Sequence, residues 1–170
     1  MEYRGSTVYN QDDFFSEYNK RRYRVDSPNN AIEGPIISEL IGVVERKNIL
    51  DLGCGDARFG KELLLLGAKS YTGVDGSEHM IKAALANLEG TVGAIHHSSI
   101  EDYHFPSNSF ELITSRFVLH YVSNIEQLFQ KIFNSLNETG QFVFSVQHPL
   151  STATFQSKQS GDRLRKLDCR

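Results

Sequence analysis

The sequence predicts an α/β fold built on a mostly parallel sheet, and three observations carry the prediction. From Asn48 onward, short apolar runs alternate with amphipathic stretches of helical period. The first run leads straight into the glycine turn of ILDLGCGDARFG, residues 49–60, the position where parallel sheets bind ligands. The chain has 170 residues, of which 39% are hydrophobic and 23% charged, which suits one globular domain with a real core.

The elements follow in order. The first 30 residues are polar and aromatic, with Tyr9, Phe14, Phe15, Tyr18 and Tyr23 around a basic knot of Lys20, Arg21, Arg22 and Arg24. Ser27-Pro28-Asn29-Asn30 reads as a turn and helix cap. Ile32, Ile36, Ile37, Leu40 and Ile41 then recur at helical spacing, with Pro35 tolerable in the first turn. Strands are predicted over Asn48–Leu52, Ser70–Val74, Gly93–His97, Phe110–Ser115 and Gln141–Val146. Helices are predicted between them over Phe59–Leu66, Glu78–Leu88 and Ile125–Leu136. The gap from Glu101 to Ser109 reads as loop, and Asn137–Gly140 as a tight turn before the fifth strand.

A formal net charge of −3 supplies no global basic field for nucleic acid or an anionic membrane. No stretch approaches the roughly 18 apolar residues of a membrane span, and the polar N-terminus lacks a signal-peptide core. Two cysteines, Cys54 and Cys169, make neither a disulfide framework nor a zinc site. His96-His97 has no companions at ligand spacing, so no metal is expected. Together these features predict a cytoplasmic protein with reduced thiols, in which Cys54 is a small residue packed under the turn.

The glycine turn narrows the ligand. A dinucleotide turn, G-x-G-x-x-G, uses its third glycine for close helix–strand packing. Here Gly53 and Gly55 match that pattern, but Arg58 occupies the third position. Asp51, ahead of the turn, would repel a pyrophosphate but can help bind an ammonium, directly or through water. About 20 residues on, the second strand ends on Asp75, where a carboxylate can accept bonds from both ribose hydroxyls. NAD and S-adenosylmethionine share that ribose, and Asp75 alone does not choose between them.

Four segments together resemble the class I S-adenosylmethionine-dependent methyltransferases, close to the small-molecule and quinone-type group. ILDLGCGDARFG resembles the family's first motif and YTGVDGSEHMI its second. SSIEDYHFPSNSFELITSRFVLHYV resembles the adenine loop and fourth strand, and LNETGQFVFSVQHP the fifth-strand segment. The resemblance spans about Asn48 to Pro149 and implies a Rossmann-like sheet with helices on both faces. It implies S-adenosylmethionine as cofactor, with Asp51, Gly53 and Gly55 at its methionine moiety and Asp75 at the ribose. Gly76 and Met80 would line the adenine, although Met80 also suits the core. Ser99 stands where the family usually has an acidic residue; it would bond the adenine amino group, and the Ile100 N–H a ring nitrogen. Ser115 and Arg116 would face the reacting end.

Methyl transfer is an in-line displacement that needs alignment and exclusion of water, and a base only if the acceptor must lose a proton. His120 and His148 follow the fourth and fifth strands and are the candidate bases; either could instead pack in its turn. Arg21 or Arg22, in the N-terminal segment that covers the site in this family, could meet a carboxylate of cofactor or substrate. Ser115-Arg116-Phe117-Val118 lacks the pattern of base-modifying methyltransferases, so a small-molecule acceptor is expected rather than nucleic acid.

The resemblance divides the chain into an N-terminal helical segment (1–46), a cofactor-binding core (47–150) and a polar tail (151–170). The family sheet usually has seven strands, of which five are identifiable here. An apolar fifth strand left at the edge invites pairing with another chain, including a homodimer. The alternatives are a truncated or non-catalytic S-adenosylmethionine-binding protein and, less favoured by Asp51 and Arg58, a nicotinamide-dependent oxidoreductase.

Overall fold

A computed structural model describes residues 9–22, 24, 27 and 29–147. His148 and the tail expected over 151–170 lie outside the described residues. The first helix, α1 (Asp12–Arg22), leads through a π-helical turn at Asn29–Glu33 into α2 (Gly34–Ile41). Pro35 falls in the first turn of α2, where its missing N–H costs no helical bond. Then follow β1 (Asn48–Leu52), α3 (Arg58–Leu65), β2 (Ser70–Asp75), α4 (Glu78–Asn87), β3 (Gly93–His97), β4 (Phe110–Arg116), α5 (Ile125–Ser135) and β5 (Leu136–Ser145). A single 3₁₀ turn, Leu119–Tyr121, lies between β4 and α5.

The five strands form one parallel sheet in the order β3-β2-β1-β4-β5. The chain winds outward from β1 to β3, then returns to place β4 on the other side of β1. The switch point therefore lies between β1 and β4, and the crevice beyond their carboxyl ends is where such sheets bind ligands.

Side chains alternate across the central strand. Ile49 of β1 joins Ile37, Ile41, Leu63, Tyr71 and Ala84 in a core under α2, α3 and α4. Leu50 and Leu52 point the other way, into a core with Val74, Ile113, Leu128 and Ile132 under α5. Helices thus cover both faces, which is why β1 and β4 read as near-continuous apolar runs.

The fifth strand differs from its expected bounds. It begins at Leu136, which pairs with Phe110, and then bulges, so that Leu112 pairs with Gln141. The Asn137–Gly140 stretch, expected as a turn before the strand, is that bulge. It is tied down by the Asn137 side-chain amide donating to Glu111 Oε1 at 2.7 Å, while Glu111 Oε2 accepts the Asn48 N–H at 2.6 Å. The 101–109 gap contains no helix or strand, as the sequence suggests.

Candidate functional site

At the carboxyl end of the sheet, backbone strain and buried carboxylates gather. Gly53 (φ 75°) and Gly55 (φ 56°) make the turn, and Ala57 (φ 55°) carries the same left-handed conformation to the start of α3. Phe117, just beyond β4, is also left-handed at φ 56°. Non-glycine residues held there cost stability, and such strain concentrates at ligand sites.

The two turn glycines serve different ends. A Cβ on Gly53 would lie 2.3 Å from a methyl of Val118, so this glycine lets the loop after β4 close over the turn. A Cβ on Gly55 would meet nothing nearer than Met80 Sδ at 3.8 Å. Space is therefore left open above the Gly55 backbone. Met80 is itself buried beside that space. Close packing of α3 on the sheet, the job of a third glycine in a dinucleotide turn, falls to Gly60 instead of position 58. A Cβ there would lie 2.1 Å from the Tyr71 ring.

Asp75 links β2 to the turn. Its Oδ2 accepts the Gly55 N–H at 2.9 Å and its Oδ1 the Ser77 N–H at 2.8 Å. Burial raises its proton affinity above the usual carboxylate range, while those two N–H groups and His97 oppose the rise. Gly76 follows, its carbonyl 3.3 Å from His97 Nε2.

Asp51 lies deeper, 3% exposed. Its Oδ2 accepts the Tyr71 hydroxyl and its Oδ1 the Thr114 hydroxyl, each at 2.8 Å. Thr114 is its register partner on β4. Burial raises the Asp51 proton affinity; the two hydroxyls and Arg116 counter it. Cys54 is buried under the turn, and burial together with Asp51 and Asp75 pushes its thiol well above the ordinary range.

Ser99 is engaged locally: its hydroxyl donates to Asp102 Oδ2 at 2.7 Å and accepts the Asp102 N–H at 3.1 Å. Ile100 is buried in the α5-side core. At the end of β4, the Ser115 hydroxyl donates to the Leu52 carbonyl at 3.1 Å. Arg116 donates through Nε to Glu33 Oε1 at 2.9 Å and through Nη2 to Glu33 Oε2, with its guanidinium 4.5 Å from the centre of the Phe59 ring. Ser145 at the end of β5 also donates to Glu33 Oε1, at 2.8 Å. His120 sits exposed on the 3₁₀ turn, its ring 4.1 Å from that of Tyr121, and partial burial lowers its proton affinity.

The N-terminal segment reaches the same end of the sheet. Asn10 Oδ1 accepts the Ser77 hydroxyl and the Glu78 N–H, each at 2.9 Å, two and three residues after Asp75. Burial raises the proton affinity of Tyr18; Arg22 opposes this and Asp56 and Asp75 add to it, so the phenol lies within the field of both carboxylates. Sequence reasoning missed Asn10, Glu33, Thr114, Tyr71 and Asp102. Asn10, Glu33, Thr114 and Tyr71 are joined to the site by strand register or by a long return of the chain, neither of which leaves a local signal. Only Asp102, three residues from Ser99, follows a spacing that a serine cap could have suggested.

Residues 50–144 match a family described as methyltransferase domain. An uncharacterized protein of Haemophilus influenzae is 34% identical over 168 residues, covering 95% of this chain and 65% of its own length. A demethylmenaquinone methyltransferase of Listeria welshimeri is 30% identical over 109 residues, which is 61% of this chain and 46% of that protein. The crystal structure of an S-adenosylmethionine-dependent methyltransferase from Mesorhizobium loti superposes with a TM-score of 0.68 at 34% identity, covering 72% of this chain and 56% of that one. The chain thus spans less than two thirds of the length of each of these relatives.

Proposed function

The chain belongs to the methyltransferase-domain family, with the class I S-adenosylmethionine-dependent fold, and on that premise we propose that it binds S-adenosylmethionine and transfers its methyl group to a small molecule. The observation that carries this reading is the Asp75 carboxylate bonded to the Gly55 N–H beside the open space over Gly55.

The residues present fit that cofactor. A carboxylate has about four lone-pair directions, and Asp75 gives two of them to backbone N–H groups. The remaining two suit the ribose hydroxyls. The Gly53–Gly55 backbone would carry the methionine moiety, with Asp51 beneath it reaching the ammonium through water, since its oxygens already hold Tyr71 and Thr114. Gly76 and Met80 would flank the adenine. The Ser99 oxygen, its proton committed to Asp102, keeps a lone pair for the adenine amino group, and the Ile100 N–H would meet a ring nitrogen. Ser115 shapes the β1–β4 crevice, and Arg116 holds the N-terminal segment near it.

When bound, S-adenosylmethionine supplies an electrophilic methyl group on a sulfonium. The chain's own residues orient and enclose. Asp75 and the turn fix the cofactor's rotation, while Tyr18 and its helix keep water out. For an acceptor with a proton to lose, His120 is the candidate base, its neutral form favoured by partial burial; His148 is the second candidate for that task. A net charge of −3 supports a small-molecule acceptor over nucleic acid. Among the described residues no helix is long and apolar enough to cross a membrane. The β5 edge, with Phe144 44% exposed, supports association with a second copy.

The test is transfer of labelled methyl from S-adenosylmethionine into a fractionated metabolite extract. Label in a small-molecule fraction, lost with heat-denatured protein, is the expected result. Binding without transfer to any fraction would favour the non-catalytic binder.

A further inference from the structure

Asp51 is a buried carboxylate held by two neutral hydroxyls, one from each neighbouring strand. Tyr71 of β2 donates to its Oδ2 and Thr114 of β4 to its Oδ1, each at 2.8 Å. Asp51 is 3% exposed, and both donors are fully buried. A charge that far from water is costly, and hydrogen bonds to the charged form offset the cost.

The Tyr71 contact is shaped by its surroundings. The register partner of Asp51 on β2 is Gly73, which has no side chain to offer. A Cβ there would lie 2.8 Å from Cys54 Sγ, so that space belongs to the cysteine. Tyr71, two residues earlier on the same face of β2, reaches across from its place opposite Ile49. Its ring lies in a slot made by Gly60 of α3, whose Cβ would stand 2.1 Å from Tyr71 Cζ. For packing alone, a phenylalanine would fill that slot as well. The hydroxyl costs desolvation unless it is paired, and Asp51 is its partner.

Titratable and charged groups face Asp51 from several elements. Burial raises its proton affinity, and the Tyr71 and Thr114 bonds are the first forces against that rise. Arg116 at the end of β4 also favours the negative form, whereas Glu33 before α2 and Asp75 at the end of β2 oppose it. The Tyr71 phenol and the Cys54 thiol are pushed well above their ordinary values by burial and then by Asp51, so both stay protonated. The two hydroxyls therefore stabilise the carboxylate without adding a charge of their own.

We propose that Tyr71 and Thr114 are positioning residues for the amino-acid end of the cofactor: their hydroxyls fix the orientation and charge of Asp51 beneath the glycine turn, where it attracts the ammonium. The inference rests on the cofactor reading above for the identity of that ammonium. Neither residue needs to touch the ligand. Without a hydroxyl bond, the carboxylate takes up a proton at a higher pH and loses its attraction for the ammonium there.

The test is calorimetric titration of the whole chain and its Tyr71→Phe and Thr114→Val variants, at a series of pH values from neutral downward. The probes are S-adenosylhomocysteine and methylthioadenosine, which shares the nucleoside and sulfur but lacks the amino-acid end. In each variant, the pH at which S-adenosylhomocysteine affinity falls on acidification should move up by about one unit. Methylthioadenosine binding should keep the wild-type profile. Proton uptake on the ribose side acts on both probes alike and cancels in the comparison. In an Asp51→Asn background, Tyr71→Phe should no longer change S-adenosylhomocysteine binding. An unmoved profile in either folded variant, or equal shifts for both probes, would leave the hydroxyls a structural role only and overturn the proposal. If one variant does not fold, the other decides. A wild type that binds S-adenosylhomocysteine no better than methylthioadenosine would also overturn it, with the nucleoside seat intact. Binding of neither probe would sink the cofactor reading, and the proposal with it.

Discussion

Asp51 and Asp75 lie near the carboxyl ends of the neighbouring strands β1 and β2 and are engaged differently. Asp75 gives its oxygens to backbone N–H groups and keeps lone pairs for a ligand, so Asp75→Ala should weaken S-adenosylhomocysteine binding by about 1–3 kcal/mol. Titration of that variant checks this, and an unchanged affinity would remove Asp75 from the seat. Asp51 instead holds Tyr71 and Thr114, and its effect should appear in stability. Its folded carboxyl binds a proton more tightly than the ordinary group at 3.8. Between 3.8 and the raised folded value, the native state binds more protons than the unfolded chain, so stability falls as pH rises through that window. The cost is then fully present above the window. Asp51→Asn removes this dependence: the stability of wild type relative to the variant should be greatest at low pH and decline toward neutrality. Denaturation curves for both proteins across that range would show it, and parallel pH profiles would contradict it.

Among the elements, α3 shows what a motif can and cannot say. Arg58 signals correctly that the third dinucleotide glycine is missing, yet close helix–sheet packing is still required and Gly60 provides it against Tyr71. Gly60→Ala should destabilise the fold by about 1–3 kcal/mol through overpacking, measured by urea unfolding, while the turn's ligand contacts are left in place. A neutral result would mean α3 sits farther from β2 than the structure has it. The strands of the interior were legible because burial on both faces makes them apolar runs between turn residues. β5 was less so: its bulge follows from pairing with Phe110 and Leu112, and pairing is invisible in one sequence. The same holds for the site. Gly53, Gly55 and Asp75 carry local signals, whereas the bonds of Asn10 and Glu33 span 67 and 83 residues in sequence to Ser77 and Arg116.

At the scale of the molecule, the sheet is asymmetric. One edge is β3; the other is β5, where Phe142 and Phe144 stack at 5.0 Å beside Phe129, and Phe133 on α5 is 74% exposed. Ile36 and Leu40 add an exposed apolar row on α2, which packs beside the same strand through the Gln141 amide and the Ile41 carbonyl. Among the described residues no strand pairs with β5 beyond β4, and an apolar edge of this kind should associate, so sedimentation equilibrium should find dimers that Phe144→Lys returns to monomers. A monomeric wild type across the accessible concentrations would leave the edge without this role. The cofactor seat at the β1–β4 switch point is tested most directly by calorimetric titration of the whole chain with S-adenosylhomocysteine and, separately, with NAD. Saturable one-to-one binding of the sulfur nucleoside and no heat from NAD is the predicted result. Binding of NAD with none of S-adenosylhomocysteine would contradict it.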